Sequence, residues 1–282
     1  MPPPTSCRPA SLRIQRSTVK TFRVLLASTL TFGLLLGGCR RTAGNPESGS
    51  ESTGSAPREN TTPPAIDPAT AGNISGVVHF EGKAPERIKI DMSADPACAM
   101  SGGENLTEQY VVNNGRLANV FVYVKSGIQP WSAKFDAPPV VMDQKGCRYV
   151  PHVIGVQMGG KVEFRNSDPA THNVHTLPQE PANHSVDISE VPGGEPQTET
   201  FRSPELMIPV RCNNHPWMQA FINVAPNGFF AVTGPDGSFT LHGLPPGTYT
   251  VAAVHEKLGE QDIQVTVPAK STAKADFTYS AK

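Results

Sequence analysis

The residue types most suited to metal chemistry stand in the second half of the chain. Cys212, His215 and Met218 follow a Cys-x2-His-x2-Met spacing, and His172 lies upstream. A thiolate and two imidazoles in one plane, with a weak thioether on the axis, hold Cu(I) and Cu(II) in one geometry and keep the reorganisation energy of electron transfer low. The set predicts one type 1 copper site, with three ligands from a tight loop between two strands and the fourth from a distant strand.

Each residue of the loop also has an ordinary structural interpretation. Cys212 alone would be a small buried apolar residue, and Met218 alone would fill a gap in a core. Trp217 either anchors the loop or belongs to an apolar docking patch around His215. Their combination at ligand spacing, in a chain rich in predicted strands, favours copper.

Residues 140–226 resemble a cupredoxin, and the loop looks like that of amicyanin and the plastocyanin-like blue copper proteins. Those proteins share an H-N-V-H stretch, found here at residues 172–175, and a C-x2-H-P-x-M loop. The resemblance implies that the copper ligands are His172, Cys212, His215 and Met218. It also implies that Asn173 ties the strand of the first ligand to the cysteine loop through hydrogen bonds.

Two histidines compete for the upstream ligand position. Residues 172 and 174 of a strand face one way and residues 173 and 175 the other, so His172 and His175 cannot both point at one metal without a bulge. We favour His172, because it follows an Asn-x-Asp turn as the ligand does in the resembled family. The edge of His215 is then the expected route for electrons, and the thioether of Met218 is expected to tune the potential.

The beginning of the chain resembles an export signal with a site for a lipid. Basic residues precede the apolar run from Val24 to Leu36, which is too short to span a bilayer, because spanning takes about 20 apolar residues. The run ends in Leu-Gly-Gly-Cys, which resembles the bacterial lipoprotein box. We predict a lipoprotein signal peptide at 1–38 and lipidation at Cys39; an ordinary cleaved signal with a chance cysteine is the alternative.

Residues 39–72 are predicted to be a disordered tether. Between residues 41 and 73 the chain is rich in Pro, Gly, Ser, Thr, Glu and Asn, and Ile66 is its only large aliphatic residue. Such a segment cannot bury enough apolar surface to offset the loss of chain entropy. As a random coil it would span roughly 30 Å and hold a folded body clear of the membrane.

The rest of the chain predicts an all-β fold with few helices. Short alternating runs bounded by turn residues are typical of β-sandwiches. Residues 236–249 read D-G-x-F-x-L-x-x-L-P-P-G-x-Y and resemble the carboxypeptidase regulatory-like (transthyretin-like or prealbumin-like) β-sandwich. This resemblance implies a fold and leaves the activity open.

The opening strands of that second family also occur, but far from residues 236–249. A G-x-V-x-F-x-G pattern lies at 76–82, and a valine-rich run follows before residue 125. We therefore predict that residues 73–135 together with 229–282 form one carboxypeptidase regulatory-like sandwich. Residues 136–228 would then be an inserted cupredoxin domain, a Greek-key sandwich.

The cysteines divide by their predicted roles. Cys7 is lost with the signal, Cys39 carries the lipid, and Cys212 belongs to the copper site. Cys98 and Cys147 are left, and in an oxidising compartment we predict a disulfide between them. Two free thiols are the alternative.

Composition and motifs argue against several other classes. The 282 residues carry 24 Lys+Arg against 25 Asp+Glu, which is not the balance of a basic nucleic-acid binder. The sequence has no His-x-His pair for a trinuclear copper centre, no nucleotide-binding glycine motif and no serine-nucleophile elbow. We expect no catalysis.

These inferences combine into a type 1 copper-binding, membrane-anchored electron-transfer protein. It is expected to be exported, lipid-anchored to a bacterial membrane, and to face the periplasm or the cell exterior. The implied partner is a periplasmic redox protein, such as a dehydrogenase, cytochrome or oxidase, and no nucleic acid is implied. The alternative is a non-catalytic binding or adhesion lipoprotein, or a copper store, built from two β-sandwiches.

Overall fold

A computed structural model describes residues 66–101, 103–128 and 138–281. The predicted signal peptide, Cys39 and most of the predicted tether lie outside these residues. Among the described residues, no helix has the length and apolar character needed to cross a membrane.

Strands dominate the described residues. In chain order the elements there are β1 (Gly72–Glu81), α1 (Pro96–Ala99), β2 (Val112–Asn113), β3 (Arg116–Leu117), β4 (Phe121–Ser126), β5 (Val140–Gln144), β6 (Tyr149–Val150), β7 (Val153–Gln157), β8 (Lys161–Asn166), β9 (His172–Thr176), β10 (Asp187–Glu190), β11 (Gln197–Thr200), β12 (Glu205–Arg211), β13 (Gln219–Ala225), β14 (Phe230–Val232), β15 (Ser238–Leu244), β16 (Gly247–His255), β17 (Gly259–Val267), β18 (Thr272–Lys274) and β19 (Phe277–Ser280). The predicted all-β class is confirmed.

Two sheets combine strands from both ends of the described chain. In one, β1 pairs with β15 and β3 in antiparallel fashion and with β18 and β19 in parallel. The other has the order β14-β4-β16-β17. Between them lies a core of fully buried aliphatic and aromatic side chains, among them Ile74, Val122, Leu241 and Val251.

The central strands of the second sheet are buried on both faces. Val122 of β4 and Val251 of β16 point into the core just described, whereas Phe121 and Ala252, their neighbours in sequence, point into a separate apolar cluster. A strand with two buried faces has an uninterrupted apolar sequence instead of an alternating one. This explains the valine-rich runs of β4 and β16.

The remaining two sheets come from the middle of the chain. Their orders are β10-β9-β12-β13-β7 and β11-β8-β5-β6. They enclose a second core that includes Met142, Phe164 and Ile222, and that also contains Cys212 and Met218.

Gly155 allows the sheet that contains β7 to lie close to the sheet that contains β4. It lies on β7, where a Cβ atom would come within 2.6 Å of the ring of Phe121 and 2.7 Å of the ring of Phe230. Both rings belong to or pack on the cluster behind β4. Any side chain at position 155 would push these rings away, because real Cβ atoms do not make contacts this short.

Candidate metal centre

The Cys212–Met218 loop joins two antiparallel strands. Arg211 at the end of β12 pairs with Gln219 at the start of β13. Inside the loop, the Met218 N–H donates to the carbonyl of His215 at 2.9 Å, and the Cys212 N–H lies 3.4 Å from the carbonyl of Met218. The hairpin and these contacts fold the loop back on itself, so that its Cys, His and Met lie close to one another.

The loop lies beside β9, which brings His172 to it. Nδ1 of His172 lies 2.9 Å from Nδ1 of His215, and Sγ of Cys212 lies 3.6 Å from the same His215 nitrogen. His172 is fully buried, and Cys212, His215 and Met218 are at most 4% exposed. Three of the four predicted ligands thus direct donor atoms to one buried point, and Met218 packs in the same core as Cys212.

Each imidazole has a carboxylate on its outer nitrogen. Oδ2 of Asp168 lies 2.9 Å from Nε2 of His172, and Oδ2 of Asp95 lies 3.0 Å from Nε2 of His215. Two backbone N–H groups, one of them that of Cys147, donate to Asp168 at 2.7 Å. A carboxylate in this position fixes the ring orientation of a ligating histidine and raises its basicity.

Hydrogen bonds shift the pKa values of the thiol and of one imidazole. Burial alone would lower the pKa of His172, but the hydrogen bonds to Asp168 and Cys212 outweigh it and raise the pKa to about 9. Burial alone would raise the pKa of Cys212, but hydrogen bonds from His172 and from backbone N–H groups lower it to about 7. Near neutral pH the metal-free site therefore holds an imidazolium beside a partly ionised thiol.

Asn173 connects β9 to the loop. Its backbone N–H lies 3.3 Å from Sγ of Cys212, and its side-chain oxygen accepts from the N–H of Asn213 at 3.2 Å. Its amide nitrogen donates to Asp187 at 2.8 Å and to the carbonyl of Ile188 at 2.9 Å on β10. Both ends of the side chain are thus engaged, which holds the thiol at a fixed distance from the strand that carries His172.

The structure separates the two histidines of β9. His172 points into the protein, whereas His175 is only half-buried and places Nδ1 3.1 Å from the side-chain oxygen of Asn213. The alternation of a strand accounts for the difference, since the two residues lie on opposite faces. Among the hydrogen bonds of the described residues, His175 makes none to Cys212 or His215.

Cys98 and Cys147 are joined by a disulfide beside the histidines. Sγ of Cys98 lies 3.9 Å from Nε2 of His215. Donor atoms of Cys98 and the two histidines, and of Cys147, Asp168 and His172, lie within 4.8 Å of one another. A disulfide sulfur is not a thiolate, so the donor set with metal-binding character is the pair of imidazoles with Cys212.

The structure covers the edge of His215 that is predicted to carry electrons. Only 5% of the His215 side chain is exposed, and Asp95, with 30% of its side chain exposed, lies on its outer nitrogen. Trp217 packs against the His215 ring at 5.0 Å and donates from Nε1 to the Cys147 carbonyl at 3.1 Å. It is half-buried and anchors the loop.

The sequence interpretation missed the role of both carboxylates. Asp168 belongs to the Asn-x-Asp turn that the sequence analysis used to choose His172. No feature of the sequence indicated that its carboxylate contacts the His172 ring. Asp95 is 120 residues from His215. Its only local signal is the Asp-Pro pair that begins α1, and that signal indicates a helix cap and says nothing about a distant histidine.

Comparison with known families matches the model of the carboxypeptidase regulatory-like domain to residues 213–280. This includes the D-G-x-F-x-L pattern and confirms that resemblance. The matched segment begins inside the Cys212–Met218 loop. No curated protein matches the chain.

Comparison with solved structures finds cupredoxins. A copper-containing nitrite reductase from Thermus scotoductus SA-01 is 25% identical with a TM-score of 0.29, over 34% of this chain and 25% of that one. A mutant of amicyanin in its Cu(I) form is 21% identical with a TM-score of 0.28, over 36% and 97%. A purple cupredoxin from Nitrosopumilus maritimus is 15% identical with a TM-score of 0.26, over 30% and 99%. The likeness concerns about a third of this chain and a quarter of the nitrite reductase, and it carries no argument about activity.

Proposed function

We propose that the protein binds one copper ion as a type 1 site and carries electrons by cycling it between Cu(II) and Cu(I). The proposed ligands are His172, Cys212, His215 and Met218. One observation supports this most strongly, namely the convergence of two imidazole Nδ1 atoms and one thiol at a buried point. Thiolate and imidazole are the donors that copper takes in such sites, and the geometry with a weak thioether is typical of electron transfer.

The residues around this point orient the imidazoles and favour the thiolate, as binding of a cation requires. Asp168 and Asp95 occupy the Nε2 side of each ring, so the Nδ1 atoms are the ones directed inward. The N–H of Asn173 donates to the thiol sulfur, which favours the thiolate. Apolar side chains of the second core pack around Cys212 and Met218. A copper ion bound here would supply one-electron redox chemistry.

We predict that the affinity for copper rises with pH. The pKa of His172 is raised to about 9, so below that pH the metal-free site holds an extra proton on this imidazole. The proton must leave before Nδ1 can bind a metal. From a pH of about 7, where Cys212 ionises, the apparent affinity should rise about tenfold per pH unit, and the rise should level off from a pH of about 9, where His172 loses its proton.

A competition titration with a copper chelator, repeated across this pH range, measures the effect. His175→Ala serves as the control, because His175 lies outside the cluster and its loss should leave the pH profile unchanged. A flat profile in the unsubstituted protein would contradict the proposed role of His172.

We further propose that the protein acts at a bacterial membrane, on the periplasmic or outer side, through a lipid on Cys39. The lipoprotein box in the sequence supports this. The partner would be a periplasmic redox protein, with no catalysis by the chain itself. The disulfide between Cys98 and Cys147 agrees with an oxidising compartment.

Copper storage is the second candidate, and two observations favour it. His215 is covered by Asp95 instead of being presented to a partner. In addition, a surface cavity of about 250 Å³ reaches Cys212 and Met218, which offers an entry path for a metal. A store needs such a path and does not need an exposed histidine edge.

Repeated oxidation and reduction of the copper-loaded protein separates the two functions. An electron carrier must cycle quickly and keep its metal, so cyclic voltammetry should give a reversible wave and copper analysis should find the same content after many cycles. Release of copper on reduction would favour storage. Dialysis of the protein against a copper-free buffer between cycles removes any free ion before each analysis.

A further inference from the structure

Asp95 lies in the segment between β1 and β2, and this segment reaches the candidate metal centre. We call residues 88–101 the cap segment. Its base is held by a bridge between Lys89 and Leu106 and by a hydrogen bond from the Ile90 N–H to the Asn105 carbonyl at 2.8 Å. The tip carries α1 and lies against His215. The contact thus joins two regions that are far apart in sequence.

The two carboxylate oxygens of Asp95 have separate partners. Oδ1 accepts from the N–H of Ala97 at 2.8 Å and lies 3.4 Å from the N–H of Cys98, so it caps the first turn of α1. Oδ2 lies 3.0 Å from Nε2 of His215. Because one oxygen is held by the backbone, the other has a fixed direction toward the imidazole.

The Cys98–Cys147 disulfide links the surroundings of the two carboxylates that contact the histidines. Cys98 of α1 follows Asp95 closely, and its disulfide partner Cys147 donates a backbone hydrogen bond to Asp168 at 2.7 Å. The disulfide therefore ties the segment that orients His215 to the segment that orients His172. The disulfide thus restrains the positions of the two imidazole rings relative to each other.

We propose that Asp95 is a positioning residue of the copper site, which holds His215 through Nε2 and closes the outer edge of its ring. The inference rests on the proposed function and adds to it a carboxylate that the ligand motif does not contain. The hydrogen bond places the ring proton on Nε2 and leaves Nδ1 free for the metal. If copper were bound by His215, the negative charge of Asp95 would favour Cu(II) over Cu(I).

Two substitutions of Asp95 test its hydrogen bond to His215. Asp95→Ala removes both the charge and the hydrogen bond. Asp95→Asn removes the charge and leaves one oxygen in place of two; the N–H groups of Ala97 and Cys98 hold that oxygen, so the amide nitrogen faces Nε2 of His215. Asp91→Ala is the matched control, because Asp91 is an exposed carboxylate of the same cap segment that accepts only a local hydrogen bond from Ser93.

The first readout is taken without copper. The ring nitrogen chemical shifts of His215 in the metal-free protein report which nitrogen carries the proton. The unsubstituted protein and Asp91→Ala should show the proton on Nε2, and Asp95→Ala should show it distributed over both nitrogens. Asp95→Asn should show it on Nδ1, because the amide nitrogen donates to Nε2. With copper, the affinity of Asp95→Ala should fall by roughly 10- to 100-fold. The reduction potential should rise in both Asp95 variants and stay constant in Asp91→Ala.

The outcomes distinguish the inference from the proposed function. Unchanged ring shifts, affinity and potential in both Asp95 variants would overturn the positioning role, even though a copper band in the parent protein would still support electron transfer. Absence of any thiolate-to-copper band in the parent would contradict the proposed function. In that case the ring shifts of the metal-free variants would still decide whether Asp95 positions His215.

Discussion

Replacing both Cys98 and Cys147 by alanine is expected to lower the free energy of unfolding of the metal-free protein by about 4 kcal/mol. The disulfide joins residues 49 positions apart, and a cross-link of this length strongly restricts the unfolded chain. Both cysteines are buried, so loss of the bond also removes packing against Met92 and Ala170. Urea denaturation followed by circular dichroism measures the change.

The unsubstituted protein under reducing conditions is the control for this effect. It should lose a comparable amount of stability, and the same conditions should leave the alanine variant unaffected. If the variant unfolded at the same urea concentration as the oxidised parent, the disulfide would not be what holds the cap segment to the middle sheets.

Breaking the buried pair of His152 and Glu256 by substitution of one partner should have a similarly large effect. Nε2 of His152 lies 2.6 Å from Oε1 of Glu256, and the two side chains are 6% and 3% exposed. Nδ1 of His152 lies 3.1 Å from the carbonyl of Gln219, which fixes the ring. The pair links the middle sheets to the end of β16. Glu256→Ala would leave the imidazole buried without its partner, at a cost of about 3–5 kcal/mol.

Lys257→Ala is the matched control for Glu256→Ala. Lys257 is the next residue along the chain, and its 37% exposed side chain places Nζ 3.8 Å from Oε2 of Glu256, so its substitution removes only the surface partner of the same carboxylate. Its loss should change the free energy of unfolding by less than about 0.5 kcal/mol. Equal denaturation midpoints for the two variants would show that the buried pair contributes nothing beyond a surface contact.

The fold class and the grouping of His172 with the Cys212–Met218 loop were accessible from sequence because both depend on local patterns, whereas copper binding stays a proposal. Alternation at 172–175 predicted that only one of the two histidines faces the site, and the turn before His172 favoured that residue; the structure buries His172 and half-exposes His175. The D-G-x-F-x-L pattern likewise gave a fold that the family model supports. The signal peptide, Cys39 and the domain boundaries stay predictions.

The covered edge of His215 was not accessible, for a physical reason. What lies over a side chain is decided by segments that reach it through long-range contacts, here the cap segment and its disulfide. The count of cysteines predicted the bond between Cys98 and Cys147, but no local signal at Asp95 indicates a partner as distant as His215. The loop motif alone gives the donors of the site, whereas their surroundings depend on the whole fold.

The structure leaves little of the His215 ring at the surface. Asp95 stands between His215 and solvent, and Trp217 is the half-buried ring next to His215. A partner at this face would meet the carboxylate and the indole before the imidazole.

The visible absorption spectrum of the protein after addition of Cu(II), beside a Cys212→Ser variant, reports directly on a type 1 site at Cys212. We expect an intense thiolate-to-copper band in the unsubstituted protein and its absence in the variant, which keeps the histidines, the carboxylates and the disulfide. The same spectrum in both proteins, or a folded parent protein that shows no band, would contradict a type 1 site at Cys212.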